Sequence, residues 1–475
     1  MTSAVIDNIT ATNTGNKVAF SISHRDWLYS LLFLLSMSMF GLHFPLGYLL
    51  VPVILINSLV RNRYDFLIQF ILFSVGYGFI DTSSLPFKFE DILLLLSFGS
   101  IIIVRKRQKE LKRATLAIFA YIAVLLLFAL MSEESLSIQF RMMRRYMFIV
   151  TIYFPLLVFA NREFDLMYFF RRIIGYSILI CALYAVDCYI LNGFLLVPGL
   201  KKWGFEESYS YLTVILRPLS MDFPRHYPQG VYLLALAIYP LCRYYKLNSF
   251  QWTILLLGIS STRTMSFFTG LLVTYIIFIG RWKDLVKYSI GGIVLITSLY
   301  IIDGSTGGFL RVKSTVDQFV ALDTARDEED LSEFGSGRMA QIIPKFTLLS
   351  EEHRVMTGFG FLHPELTTIS KYQIVNPLYI DQSRAEEVAT GVEVTQVQTI
   401  LDIGVIGLII QTLFYIYLFY IIRHFNDSKY YISVLLALSI FGIGGFAGLC
   451  QTDGVTLVAL SFSVIFLSRT HIKSA

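Results

Sequence analysis

Charged residues are scarce in this 475-residue chain, because Asp, Glu, Lys and Arg make up only 15% of it, against about a quarter of an ordinary soluble domain. Cysteine is scarcer still: the four residues Cys181, Cys188, Cys242 and Cys450 lie in or beside apolar runs and show no CxxC spacing. That pattern argues against a disulfide framework or a zinc site. No HxxxH or HExxH pattern points to another metal. We therefore expect neither a metal nor a cofactor.

Apolar residues, by contrast, make up 55% of the chain. Apolar runs lie near 28–43, 45–60, 66–80, 89–104, 114–131, 146–160, 173–192, 230–242, 248–262, 264–280, 286–302, 397–422, 431–449 and 454–468. Segments of this length and composition are typical of membrane-spanning helices. We predict an all-α polytopic membrane protein with about 14 transmembrane helices.

Lysine and arginine set the predicted orientation. Every second loop is basic, namely 61–63, 105–113, 162–172, 243–246, 281–287, 423–429 and 469–473. Because positive charge is retained on the cytoplasmic side, both termini are predicted to be cytoplasmic. The alternate loops, which include 193–229 and 303–396, are then extracytoplasmic.

The chain divides accordingly into five predicted parts. A cytoplasmic N-terminal segment (1–26) precedes a transmembrane bundle of about 11 helices (27–302), which includes the extracytoplasmic loop 193–229. A large extracytoplasmic cap loop (303–396) follows, and then come three C-terminal transmembrane helices (397–468) and a cytoplasmic tail (469–475). The cap loop carries 15 acidic and 8 basic residues, and its segments 311–322 and 337–352 have helical patterns. We expect it to be partly helical and to cover the outer end of the bundle.

Arginines on the predicted outer side are the exceptions to the charge rule. They are Arg141, Arg144, Arg145, Arg217, Arg225, Arg263 and Arg338. Each one alone is explained by an ion pair or by contact with lipid headgroups. Together they favour an anionic ligand, and a guanidinium group suits phosphate because it donates two parallel hydrogen bonds.

Two carboxylates on the same side attract attention. Glu393 precedes the twelfth apolar run and is placed to face a ligand at the outer end. Asp187 interrupts an apolar run near its outer end, where its side chain either reaches water or has a specific role. The acidic run at 327–330 lacks the spacing of a calcium loop and indicates a solvated surface.

Four stretches resemble the O-antigen polymerase and O-antigen ligase superfamily of bacterial envelope glycosyltransferases. They are RPLSMDFPRHYPQGVYLLAL (217–236), SSTRTMSFFTGLLV (260–273), GSGRMAQIIPKFTLLSEEHRVMTGFGF (335–361) and EVTQVQTILDIGVIGLI (393–409). They are similar, in order, to the family's arginine and aromatic segment, its "T-G-S-R" helix start, its "S-G-R" followed by "G-x-G", and its helix ending in "G-x-x-G". Glu393 stands where the ligase branch has a histidine, which favours a polymerase.

The resemblance implies a glycosyltransferase of the bacterial inner membrane that polymerises oligosaccharide repeat units carried on polyprenyl (undecaprenyl) diphosphate. Its implied partners are that lipid-linked oligosaccharide, membrane lipid and a chain-length regulator protein, and no nucleic acid. The implied catalytic residues are Glu393 as general base, with Arg263 and Arg338. Residues assigned to the diphosphate are Arg217, Arg225, Arg144 and Arg145, and candidate glycan-binding residues are His226, Tyr227 and His363.

Two other functions remain open. A ligase would transfer finished glycan to lipid A core or to protein, and it would share the topology. A flippase for lipid-linked oligosaccharide also has about fourteen helices, but typically shows two similar halves and short loops. The 94-residue cap loop (303–396) and the lack of a visible repeat favour an enzyme.

Overall fold

The computed structural model describes residues 17–75, 89–104, 109–132, 135–160, 162–191, 196, 233–261, 338–361, 394–443 and 448–469, together with isolated helical positions between 270 and 304. The described residues are mostly helical. The α-helices are α1 (His24–Gly41), α2 (Pro45–Arg61), α3 (Arg63–Val75), α4 (Phe89–Val104), α5 (Lys109–Leu130), α6 (Leu136–Met147), α7 (Tyr153–Val158), α8 (Leu166–Val186), α9 (Leu233–Arg243), α10 (Ser249–Ser261), α11 (Arg338–Glu351), α12 (Thr395–Ile422), α13 (Ser428–Ile443) and α14 (Thr452–Arg469).

Two short strands tie the N-terminal segment to the loop after α9. Strand β1 (Val18–Ala19) pairs in parallel with β2 (Tyr245–Lys246). Local sequence explains where neighbouring helices begin: Ser23 caps α1 by accepting a hydrogen bond from the Asp26 amide. Asp165 caps α8 in the same way.

The core of the bundle is built around α14 and α9, whose apolar side chains are buried on all sides. A helix that is apolar all round belongs at the centre of a large bundle or in a membrane. Peripheral helices such as α2, α4, α5 and the second half of α12 instead expose leucine, isoleucine and phenylalanine side chains.

Three of the described helices, at Glu110–Leu130, Leu166–Val186 and Thr395–Ile422, are long and apolar enough to cross a membrane. Shorter apolar helices accompany them at Pro45–Arg61, Leu233–Arg243, Ser249–Ile259, Ser428–Gly442 and Thr452–Ser468. These helices, with the exposed apolar faces, support the prediction of a helical membrane protein.

Loops that the sequence assigns to the same side contact one another. Asn62 donates a hydrogen bond to the Tyr168 hydroxyl at 2.9 Å, and the Tyr245 hydroxyl donates to the Met167 carbonyl at 2.8 Å. The Tyr244 hydroxyl also donates to Asp427. All of these residues lie in or beside basic loops, so four of the loops that the sequence assigns to one side meet at one end of the bundle.

A buried ion pair braces the same end. Arg172 on α8 is 1% exposed, and its Nε donates to Asp65 Oδ1 on α3 at 2.7 Å. Its Nη2 donates to Ser30 on α1 at 2.5 Å, and Asn62 donates to the other Asp65 oxygen at 2.9 Å. A buried charge is tolerated when its partners satisfy it in this way, so the pair fixes three helices relative to one another.

The sixth apolar run is not a single α-helix. The sequence predicted one span over 146–160, but the chain passes from α6 into a 3₁₀ segment (Phe148–Ile152) and then into α7. Pro155 explains the change, because proline lacks the amide that would bond to the Thr151 carbonyl and its ring clashes with that carbonyl. The Thr151 hydroxyl donates instead to the Phe148 carbonyl at 2.6 Å.

One further expectation needs correction, and one open alternative is decided. The seventh helix begins at Leu166, seven residues before the predicted start, because Asp165 caps it there. Asp187, which opens a π-helical turn after α8, does not reach water, since its side chain is fully buried. The helix predicted at 337–352 is confirmed as α11, whereas the segment 311–322 lies outside the described residues.

Helix α11 packs on the first half of α12 through a small apolar cluster. Ile342, Phe346 and Leu349 on α11 meet Val397 and Leu401 on α12. Lys345 lies on the same face of α11, three residues after Ile342 and four before Leu349, and is only 3% exposed. Burial lowers its pKa from 10.5 to about 8.

Replacing this lysine should stabilise the fold in a pH-dependent manner. The pKa of Lys345 is lower in the folded than in the unfolded chain. The free energy of unfolding therefore falls as pH is lowered from about 10.5 to about 8, and it stays reduced at lower pH. Lys345→Met should therefore raise the thermal unfolding midpoint of detergent-solubilised protein at pH 7, and the gain should shrink at pH 10. The exposed-lysine control Lys246→Met should give no such trend, and a pH-independent gain for Lys345→Met would contradict the interpretation.

Candidate functional site

Helix α12 is broken at Gly404. The backbone there has φ 67° and ψ −176°, although helical residues flank it on both sides. In a continuous helix the amides of Val405 and Ile406 would donate to the carbonyls of Leu401 and Asp402. The break separates these partners and leaves two carbonyls and two amides without their helical bonds.

Residues 355–361, called here the docked segment, supply replacement partners for all four groups. The hydrogen bonds run from Phe359 N to Leu401 O (2.9 Å), from Gly360 N to Asp402 O (2.9 Å), from Val405 N to Val355 O (3.0 Å) and from Ile406 N to Met356 O (3.1 Å). The docked segment follows α11 directly, in the region predicted to form the cap. Main-chain pairing therefore anchors that region to the helix break.

Three glycines permit this close approach. Gly358, Gly360 and Gly404 all have positive φ, which other residues rarely adopt. A Cβ added to Gly404 would lie 2.3 Å from the carbonyl carbon of Met356. One added to Gly358 would lie 2.6 Å from the Gly404 nitrogen. The two backbones can meet only because neither has a side chain at the contact.

Side chains from α6 and from the turn after α5 hold the other edge of the docked segment. The Ser132 hydroxyl donates to the Phe359 carbonyl at 2.9 Å, and the Phe361 amide donates to Gln139 Oε1 at 2.7 Å. Gln139 Nε2 in turn donates to Ser132 at 2.8 Å. The ring of Phe361 packs edge-on against Tyr146. The docked segment is thus fixed between α6 and α12.

The carboxylate of Asp402 is the centre of a buried polar cluster just before the break. The side chain has no exposed surface. Its Oδ2 accepts hydrogen bonds from Arg145 Nη2 and, at 2.7 Å, from the Tyr146 hydroxyl. Its Oδ1 accepts from Gln398 Nε2 at 2.8 Å. Both oxygens are therefore satisfied, and the charge faces a guanidinium group.

The pairing with Asp402 engages only one of the three guanidinium nitrogens of Arg145. Its Nε is buried and has no hydrogen-bond partner among the described residues. Asp402 engages only Nη2, and Nη1 has no partner within the described part of the chain. The side chain is 19% exposed. Burial works against its charge, but Asp402 more than compensates and raises the pKa of Arg145 above its ordinary value, so the group stays a cation.

Arg144, its neighbour, is fully engaged by α4. It donates to Glu90 at 3.0 Å and to Asp91 at 2.5 Å. These two carboxylates lie in the first turn of α4, where negative charge also favours the helix dipole. Arg144 thus fixes α4 against α6, and both of its terminal nitrogens are paired with carboxylates.

The loop before α14 closes the cluster. Cys450 is 1% exposed and lies within electrostatic range of Arg145 and Asp402. Asp453 is 8% exposed, and its side chain accepts a hydrogen bond from the Gly454 amide at 2.9 Å. No group of three or more histidine, cysteine, aspartate or glutamate side chains suited to a metal occurs among the described residues.

Most of the predicted site residues cannot be compared with this geometry. Glu393, Arg263, Arg217, Arg225, His226, Tyr227 and His363 lie outside the described residues. Arg338 is the first residue of α11, and its side chain is outside the description. Arg144 and Arg145 do lie at the same end of the bundle as the docked segment, where both are paired with carboxylates.

Sequence reasoning missed the residue at the centre of this arrangement. Asp402 lies within the fourth stretch that carries the family resemblance, but the features noted there were Glu393 and the "G-x-x-G" pattern at Gly404 and Gly407. A carboxylate inside a long apolar helix is itself a functional signal, and Gln398, one turn earlier, shows where its neighbours would lie. Tyr146 offered no such signal, because a tyrosine at the start of an apolar run is unremarkable.

Comparisons of this chain with protein-family models, with curated proteins and with solved structures found no match. The assignment of function therefore depends on the residues and their arrangement.

The glycine at the break should be sensitive to a single methyl group. Gly404→Ala combines a backbone strain of about 1–3 kcal/mol with the clash against Met356, so we expect a clearly lower thermal unfolding midpoint in detergent. Gly99→Ala is the matched control, because a Cβ there meets nothing within 4 Å. Equal midpoints for the two variants would show that the break is not required.

Proposed function

We propose that this chain is an inverting, metal-independent membrane glycosyltransferase. It polymerises oligosaccharide repeat units, carried on polyprenyl (undecaprenyl) diphosphate, into O-antigen or a related surface polysaccharide. The observation that carries the proposal is the pairing of GFGF (358–361) with LDIG (401–404). GFGF contains the "G-x-G" of one stretch, and LDIG ends at Gly404, the first glycine of the "G-x-x-G" (404–407) of another. Both stretches resemble the same family, and they meet beside an arginine.

The chemistry explains why arginines would gather there. An acceptor hydroxyl attacks the anomeric carbon of the lipid-linked sugar, the bond to the diphosphate breaks, and the configuration inverts. Negative charge grows on the leaving diphosphate, and preorganised guanidinium groups at a site with little water stabilise it strongly. The donor is already activated, so the reaction requires neither a nucleotide sugar nor a metal.

Arginines receive different roles in this proposal. Arg217, Arg263 and Arg338 stabilise the leaving diphosphate, and Arg225 assists in binding it. Arg145 joins them through Nη1, the nitrogen that no described residue engages. Arg144 has both terminal nitrogens occupied by Glu90 and Asp91, so its contribution is to hold α6 in place and to add positive charge nearby.

A general base must also take the proton of the acceptor hydroxyl. Glu393 is proposed for this role, since it directly precedes Val394 and the first half of α12, the half that carries Asp402. A positioned carboxylate contributes about 10²–10⁴-fold to such a step. His226, Tyr227 and His363 would contact the glycan. In this proposal the Asp402 end of the bundle faces the periplasm and the Arg172 end faces the cytoplasm.

Reconstitution with a defined donor tests the proposal. Purified protein in lipid vesicles should convert an undecaprenyl-diphosphate oligosaccharide into longer chains that remain on the carrier, as measured by gel sizing and mass spectrometry. Arg263→Ala and Arg338→Ala should leave single repeat units. Arg423→Ala, an exposed arginine at the opposite end of α12, is the control and should keep activity.

Other products would point to the alternatives. Transfer of glycan from the carrier to added lipid A core would indicate a ligase, and movement of the donor across the bilayer without extension would indicate a flippase. Full-length polymer from Arg263→Ala and Arg338→Ala would refute the roles assigned to those arginines.

A further inference from the structure

Asp402 takes part in both contacts that define the candidate site. Its carbonyl accepts the Gly360 amide of the docked segment at 2.9 Å. Its carboxylate accepts hydrogen bonds from Arg145 and Tyr146. One residue therefore receives the docked segment through its main chain and the arginine through its side chain.

We propose that Asp402 is the positioning residue for Arg145, and that docking of residues 355–361 on the break in α12 sets the position of both. An arginine ready to receive an anion is then present only when the docked segment is in place. This inference deepens the proposed function, on which it rests for the identity of the anion as a lipid-linked diphosphate.

Within the described residues Arg145 has one ion-pair partner, and its guanidinium carbon also lies 5.4 Å from the centroid of the Tyr146 ring. Its one carboxylate partner is Asp402, because Glu90 and Asp91 are engaged by Arg144. Asp402 itself is held by Gln398 and Tyr146 as well as by the arginine. A buried carboxylate with this many donors has one favourable orientation, and it transmits that orientation to the guanidinium group.

The break in α12 supplies two alternative arrangements. With the segment docked, the carbonyls of Leu401 and Asp402 and the amides of Val405 and Ile406 bond to it. Without it, the same four groups can satisfy one another if Gly404 adopts helical angles and α12 straightens. Both arrangements pair these four groups of α12, so the exchange is feasible, and it would rotate Asp402 relative to Arg145.

Arginine reactivity measures this coupling without relying on enzyme activity. In protein held in lipid nanodiscs, the rate at which phenylglyoxal modifies Arg145 is followed by peptide mass spectrometry. Asp402→Asn keeps the size of the side chain but removes its charge, and it should raise the rate about tenfold. Asp402→Glu restores the charge and should recover most of the protection.

Gly360→Ala tests the second half of the inference. A Cβ there would lie 2.4 Å from Ser132 Cβ and 2.6 Å from its hydroxyl, so it should displace the docked segment without touching Arg145 directly. We expect the reactivity of Arg145 to rise as in Asp402→Asn. Gly99→Ala is the matched control, and Arg144, which pairs with α4, is an internal reference whose rate should not change.

Three results would overturn the inference. They are an unchanged rate for Arg145 in Asp402→Asn, an unchanged rate in Gly360→Ala, or an equal rise for Arg144 and Arg145, which would indicate general loosening.

In the polymerisation assay, Asp402→Asn should lower kcat about tenfold with little change in KM, because the charge on the diphosphate grows mainly in the transition state. If kcat falls equally in Asp402→Glu, which keeps the charge, the result would contradict the positioning role and leave Asp402 only a structural one. A wild-type protein that forms no polymer but shows the predicted reactivities would refute the proposed function and leave the positioning role intact.

Discussion

Two helical hydrogen bonds that α12 cannot make at Gly404 determine how this end of the molecule is assembled. Their four backbone groups would be costly to bury unpaired, and the docked segment satisfies all of them. The consequence reaches beyond the main chain. The same pairing places the docked segment against Ser132 and Gln139, and it brings α11 onto the first half of α12. It also fixes Asp402, and through it Arg145.

The opposite end of the bundle shows what a purely structural polar cluster looks like. There Arg172 and Asp65 are both almost completely buried. The arginine's Nε and Nη2 and both carboxylate oxygens have hydrogen-bond partners. At the Asp402 end the corresponding arginine keeps two nitrogens without described partners and part of its surface exposed. That difference, an arginine anchored by a carboxylate and still able to bind a ligand, is why the second cluster is the better candidate for chemistry.

Much of the helical framework was predictable, because apolar runs and capping residues act locally. The apolar run at 89–104 coincides with α4, and the pattern at 337–352 gave α11 to within a residue at each end. Hydrophobicity says little about backbone angles, so the break at Gly404 and the 3₁₀ segment after α6 were missed. The pairing of Arg145 with Asp402 joins positions far apart in the sequence, and no local pattern encodes it. Glu393, Arg263 and the other residues assigned through the resemblance remain predictions.

Amide hydrogen exchange in lipid nanodiscs tests directly whether the docked segment occupies the break. The amides of Phe359 and Gly360 lie in a loop after α11, where free loop amides would exchange within the shortest labelling times. If they donate to Leu401 and Asp402, they should be protected to a similar extent as the amides of Val405 and Ile406. Exchange of Phe359 and Gly360 at the rate of an unfolded peptide, with Val405 and Ile406 still protected, would show that α12 satisfies its own break.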